Sequence, residues 1–256
     1  MGTQVVISGS AFGASQGRSV VTLNGTPVTV NTWTATSITI TIPSGAASGP
    51  LVVSVAPGMT NSNPVLFTVT STSLPAQWSD QDVGSVGLAG SASYANGTFT
   101  VKASGNAIWY AADGMNFAYQ PLSGDGTITA RLLSLQGGAP SQSTGVMIRE
   151  SLDPASAHAY ATFASGSTIY FTERPSTGAA STLQTNSLAV TLPYWVKMVR
   201  TGNNFSAYSS PDGVNWTQIG VTQSIPLAQN VFVGLAVSAD TNFALTTATF
   251  DNVAIQ

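Results

Sequence analysis

Along the chain, apolar and polar residues alternate with a period of two in short runs, and the 3.6-residue period of amphipathic helices is nearly absent. VVTL (20–23), SITITI (37–42), LVVSV (51–55) and WVKMVR (195–200) are runs of this kind. Gly, Pro, Asn and Ser punctuate them at the spacing of turns, so the pattern predicts an all-β protein. Asn24-Gly25 sits between two alternating runs and suits a two-residue hairpin turn. In YSSPDGVNW (208–216), Pro211-Asp212-Gly213 is again turn chemistry, between the alternating runs NNFSAYSS and WTQIGV.

The pattern divides near TVTSTSLPAQW (68–78), where Thr and Ser cluster and Pro75 ends any strand. Charge sharpens the division. Residues 1–70 carry a single charge, Arg18, and every one of the ten acids lies after position 78. We therefore read residues 1–70 as one domain, 71–77 as a linker and 78–256 as a second domain. Only 7% of residues are charged, against about 25% in ordinary domains, but the 43% hydrophobic content is enough to form cores. The seven basic residues are scattered singly, which argues against nucleic-acid binding. No apolar run reaches the roughly 20 residues that span a membrane. With no cysteine and one histidine, neither disulfides nor a His-rich zinc site can form.

GTQVVISGSAFG (2–13), VTLNGTPVTVNTWTATSITITIP (21–43), GPLVVSV (49–55) and SNPVLFTV (62–69) resemble an IPT/TIG domain, which implies an immunoglobulin-like sandwich with Trp33 in its core. Such domains usually begin with a further Pro-containing strand. Its absence predicts a chain cut from a longer polypeptide, or a module that starts late. WSDQDVGSVGLAGSASYANGTFTVKASG (78–105), YQPLSGDGTITARL (119–132), GVMIRESL (145–152), WVKMVRTGNNFSAYSSPDGVNW (195–216) and VFVGLAVSA…TATFDNVAI (231–255) resemble the bacterial concanavalin-like domains once labelled enolase regulators. They are more distantly similar to the C-terminal domain of some β-xylosidases. This implies a concanavalin/LamG-like jelly-roll β-sandwich and, by analogy of fold, carbohydrate binding. Ser210-Pro211-Asp212-Gly213 with Trp216 also resembles the Asp box of sialidases, but it occurs once and is one residue short, so Asp212 reads as a turn residue.

A glycosidase needs two facing carboxylates. Here Asp125, Asp153, Asp212 and Asp240 stand in turn contexts, and Glu150 and Glu173 are each adjacent to an arginine, which predicts surface ion pairs. His158 lies in a strand-like run rather than beside a nucleophile, and Trp195 and Trp216 are expected in the core. Asp80, Asp82 and Asp251 are candidate ligands for a structural Ca2+ if the first and last strands of the jelly roll lie side by side. The alternative is that these acids bond backbone amides. Alternation also places Arg149, His158, Tyr160, Tyr170 and Arg174 on one face of three consecutive runs. They form either a ligand surface, with rings stacking on sugars, or an ordinary solvent face with cross-strand pairs. Trp109-Tyr110, in NAIWYAADG, is a second candidate pair for a glycan if exposed, and otherwise buried.

The sequence thus predicts no enzyme. It predicts a non-catalytic region of a larger secreted or surface protein of a bacterium, in which the jelly roll binds a polysaccharide or glycan and the Ig-like domain is a spacer beside neighbouring domains. The alternative is a structural or assembly module of an adhesin, stalk or surface layer.

Overall fold

The computed structural model describes residues 3–43, 46, 48–69 and 73–256, with the backbone alone at 185–187. Residues 70–72, where the boundary and the head of the linker were expected, lie outside the described residues. The chain forms two compact units, Met1–Ser71 and Thr72–Gln256. No helix occurs among the described residues.

In the first unit, β1 (Thr3–Ser8), β4 (Thr29–Trp33) and β5 (Ser37–Ile42) form a three-stranded sheet in the order β1-β5-β4. β2 (Val20–Leu23), β3 (Thr26–Pro27), β6 (Gly49–Val55) and β7 (Thr60–Asn61) form the other sheet, and β8 (Val65–Phe67) also pairs with β6. Alternation accounts for the core: Ile38, Ile40 and Ile42 point inward from β5, toward Val21, Leu23, Leu51 and Val53. The β2–β3 turn is the expected Asn24-Gly25, with φ of 48° and 78°. Trp33 packs against this core and donates its indole N–H to the carbonyl of Phe12.

The second unit comprises β9 (Ser79–Val83), β10 (Ser91–Ala95), β11 (Thr98–Gly105), β12 (Met115–Ser123), β13 (Gly126–Gly137), β14 (Ser143–Arg149), β15 (His158–Ala164), β16 (Thr168–Arg174), β17 (Thr182–Ala189), β18 (Tyr194–Thr201), β19 (Asn204–Ser210), β20 (Thr217–Ser224), β21 (Asn230–Ser238) and β22 (Thr241–Ile255). They build two seven-stranded antiparallel sheets, β17-β16-β15-β14-β21-β12-β9 and β10-β11-β22-β13-β18-β19-β20, in a jelly-roll sandwich. The main core lies between the sheets, where Val146, Ile148, Ala161, Phe163 and Phe171 face Ile128, Leu132, Val196, Met198 and Phe250. Leu74 and Trp78 pack against it, so the end of the expected linker is part of this unit.

The central strands β14 to β16 of the first of these sheets are largely buried on both faces. A second apolar cluster, with Met115, Phe117, Met147, Tyr160 and Ala236, covers the far side of that sheet beneath the 105–114 loop. Strands β14 to β16 therefore read as almost continuously buried in spite of their polar residues. Trp195 and Trp216 do not enter the core. They stand half-buried on the outer face of the other sheet, 6.5 Å apart edge to face, with the Lys197 ammonium 4.1 Å above the Trp216 ring. Trp195 alternates with the inward Val196, and Trp216 closes the 211–216 turn, so neither position faces the core.

Candidate functional site

β14, β15 and β16 are neighbours, and their register aligns Arg149, His158 and Arg174 in one row across the sheet. Nearer the other end of the strands, Tyr160 is opposite Thr172 and Thr162 is opposite Tyr170 on the same face. The five residues expected to share a face do share it, but they divide into two groups.

The first row is buried. Arg149, His158 and Arg174 have no exposed surface, and Tyr160 has 1%. This corrects the expectation of a solvent-accessible ligand surface through Arg149, His158 and Arg174. The reason is Asp113, which precedes Gly114 at the end of the 105–114 loop and which nothing in the sequence singles out. It is 3% exposed and meets both guanidiniums: Arg174 at 2.6 Å and Arg149 at 3.2 Å. Arg149 also donates to the carbonyls of Ser151 and Asp153, and Arg174 to those of Tyr110, Pro154, Ser156 and Ala179. A lone buried charge is very costly, and here carboxylate and carbonyl oxygens compensate it. Burial lowers the Arg149 guanidinium to about 10, which leaves it charged at neutral pH. Burial, with the flanking arginines, pushes the His158 imidazole down to about 3 in spite of the Asp113 carboxylate. His158 is therefore neutral, and its 3.7 Å approach to Asp113 is no ion pair.

This buried cluster fastens the loop that carries Trp109 and Tyr110. The loop is pinched at its base by a bridge between Ala107 and Gly114. Gly105 has φ +115°, and a Cβ there would lie 2.1 Å from the Gly114 carbonyl oxygen, so only glycine fits. Further along, Arg174 donates to the Tyr110 carbonyl at 2.7 Å, the Ser181 N–H to that of Trp109 at 2.9 Å, and the Asp113 N–H to that of Pro154 at 2.9 Å. With its backbone held at these points, the loop leaves Trp109 37% and Tyr110 69% exposed.

Beneath these rings lies a cavity of about 290 Å³. Trp109 and Tyr110 line one side, and Tyr160, Thr162, Tyr170 and Thr172 come from the sheet. Ser141, Ser143, Asp240 and Leu183 also line the cavity, with Ala107, Ile108 and Ala164. Tyr160 donates to the Ala236 carbonyl at 3.3 Å, and burial raises its phenol far above the ordinary value, so it stays a neutral donor. Four aromatic rings, several hydroxyls and one carboxylate thus converge on a concave space at the small end of the range for ligand pockets. Of the seven residues expected to bind a carbohydrate, Trp109, Tyr110, Tyr160 and Tyr170 line this cavity. Arg149, His158 and Arg174 do not.

Residues 1–69 match the family model of the IPT/TIG domain. Among solved structures, the chain is similar to a functionally unknown protein from Saccharomyces cerevisiae, with TM-score 0.54 and 13% identity over 71% of this chain and 96% of that one. It is also similar to the carbohydrate-binding module CBM66 from Bacillus subtilis (TM-score 0.47, 14% identity, 70% of this chain and 95% of that one). A GH43 protein from Bacillus licheniformis matches with TM-score 0.49 and 14% identity over 88% of this chain, which spans 45% of that protein. The likeness to the yeast protein is one of fold. No curated protein matches the chain.

The candidate calcium ligands do not converge. β9 lies at the edge of one sheet and β22 inside the other, which corrects the expectation that the first and last strands lie side by side. Asp82 accepts from the Gly90 N–H and the Asn116 amide, and Asp80 from the Ala92 N–H. Asp251 forms a two-pronged pair with Arg131 that holds its carboxyl below the usual range. Among the described residues no group of three or more acids or histidines is placed to hold a metal ion. The expected glutamate–arginine surface pairs do not form: Glu173 alternates with Arg174 along β16 and is itself buried, and Glu150 stands in the bend just past the end of β14 while Arg149 turns into the buried cluster. Glu150 accepts from the Ala228 N–H, and Glu173 from Thr182 and Gln184.

Proposed function

We propose that the jelly roll is a non-catalytic carbohydrate-binding module, which holds a glycan in the cavity under Trp109 and Tyr110. The observation that carries this reading is the pair of exposed rings on a loop anchored at both ends, above a hydroxyl-rich concavity. Aromatic faces stack on the apolar faces of sugar rings, and Ser, Thr and Tyr hydroxyls exchange hydrogen bonds with sugar hydroxyls. Anchoring the loop before binding reduces the ordering cost that weakens shallow sites. The lining contains a single carboxylate, Asp240, whereas the usual glycoside hydrolysis requires two, which supports binding without turnover. In this reading the IPT/TIG unit is a spacer in a larger secreted or surface protein of a bacterium.

Affinity electrophoresis through polysaccharide gels, together with a glycan array, tests this. The intact chain binds at least one polysaccharide, and Trp109→Ala or Tyr110→Ala weakens that binding about ten-fold or more. Unchanged binding in both variants contradicts the site. A second reading, an assembly module, rests on Phe243, which is 93% exposed. It predicts concentration-dependent light scattering that Phe243→Ser abolishes.

A further inference from the structure

We infer that the cavity selects neutral saccharides over acidic ones, with Asp240 setting that preference. This rests on the carbohydrate reading and narrows it to a class of sugar.

A uronic acid carries an ionised carboxylate at neutral pH. Proteins that hold one provide a matching arginine or lysine, because a carboxylate that loses water without a cation is strongly penalised. This cavity provides none among its lining residues. The six cations of the second unit are all engaged or placed elsewhere. Arg149 and Arg174 are closed off beneath the 105–114 loop, with their donors directed at Asp113 and at backbone carbonyls. Arg131 pairs with Asp251 and Lys197 lies over Trp216, both on the opposite sheet. Arg200 donates to the carbonyls of Gly202 and Ala228. Lys102 projects from β11 of that opposite sheet, between the inward-facing Val101 and Ala103.

The one formal charge in the lining is the carboxylate of Asp240. Ser141 donates its hydroxyl to Asp240 Oδ2 and so orients that carboxylate. A sugar carboxylate entering the cavity meets a like charge and no compensating cation, only neutral hydroxyl donors. The buried cluster, two guanidiniums against Asp113, carries an excess positive charge that acts in the opposite direction. Those guanidinium groups form no part of the cavity lining, so a bound anion gains no hydrogen bond from them. Asp240 acts at the surface of contact, and its sign prevails.

The test is titration calorimetry on the full chain with paired oligosaccharides that differ in charge. The pairs are gluco- with glucurono-, manno- with mannurono-, and galacto- with galacturono-oligomers, and neutral xylo- and fructo-oligomers complete the panel. We expect a neutral oligomer to bind about ten-fold or more tightly than its uronate counterpart. Asp240→Asn should narrow that ratio to about three-fold or less, because the repulsion is removed. Asp240→Ser provides the same test if the first variant melts early. A uronate that binds as tightly as its neutral partner overturns the selectivity and leaves the carbohydrate reading intact. A ratio unchanged in both variants overturns the role of Asp240. Failure of every oligomer in both series overturns the carbohydrate reading itself.

Discussion

The single histidine of this chain gives an unusually clean probe of the buried cluster. His158 is fully buried, between two arginines in the cross-strand row and beside Asp113, and its imidazole is held down at about 3. In the unfolded chain a histidine titrates near 6.5. Because the folded value lies below the unfolded one, protons bind the unfolded chain first as pH falls. The contribution of His158 is therefore intact above about pH 6.5 and declines below it, at about 1.4 kcal/mol per pH unit. Between pH 7.5 and 5 the loss is roughly 2 kcal/mol, or about 4–8 °C in Tm for a domain of this size. Few other groups disturb that window. Asp212 and Asp251 have carboxyls lowered by hydrogen bonds, so their contributions are lost only at more acid pH. Glu173, raised by burial, acts in the opposite sense, and Glu173→Gln removes it. Urea unfolding followed by tryptophan fluorescence, at half-unit pH steps, reads the slope, and His158→Gln should flatten it. Proton NMR of the imidazole should show no titration between pH 7.5 and 4. Stability that stays flat from pH 7.5 to 5, or an imidazole midpoint near 6.5, would refute the burial argument.

Three further outcomes follow from the same contacts. Asp113→Ala leaves two buried guanidiniums without their carboxylate and should cost about 3–5 kcal/mol in urea unfolding, whereas Asp153→Ala, at an exposed turn, should cost far less. Excess chelator should leave the Tm unchanged within error, because Asp80, Asp82 and Asp251 are each satisfied by protein donors; a fall of several degrees would restore a structural Ca2+. Asp212→Ala removes the carboxylate that caps the β19–β20 turn through the N–H groups of Val214 and Asn215, so it should lower the Tm without affecting glycan binding.

The architecture was legible because sheet proteins advertise themselves through alternation and turn chemistry. Asn24-Gly25 and Pro211-Asp212-Gly213 form the turns that their residues require. Alternation also placed Arg149, His158, Tyr160, Tyr170 and Arg174 on one face. It did not say what covers that face. The cover is a loop some 35 residues upstream of β14, and its Asp113 looks like any Asp-Gly turn until two arginines are seen around it. The same limit explains the tryptophans. Strand periodicity distinguishes two faces without saying which is inward, so Trp195 fits either side of its strand, and Trp216 reads as strand although it closes the turn before β20. Asp240 illustrates a third limit: a turn aspartate becomes a cavity residue only through the contact of distant loops.

The central claim is that a saccharide binds under the Trp109–Tyr110 loop. Its most direct test is amide NMR mapping of the 15N-labelled chain titrated with the tightest oligosaccharide from the panel. The account predicts shifts concentrated at residues 107–110, 141–143, 160–172 and 240. Shifts confined to the Trp195–Trp216 face or to the first unit would contradict it.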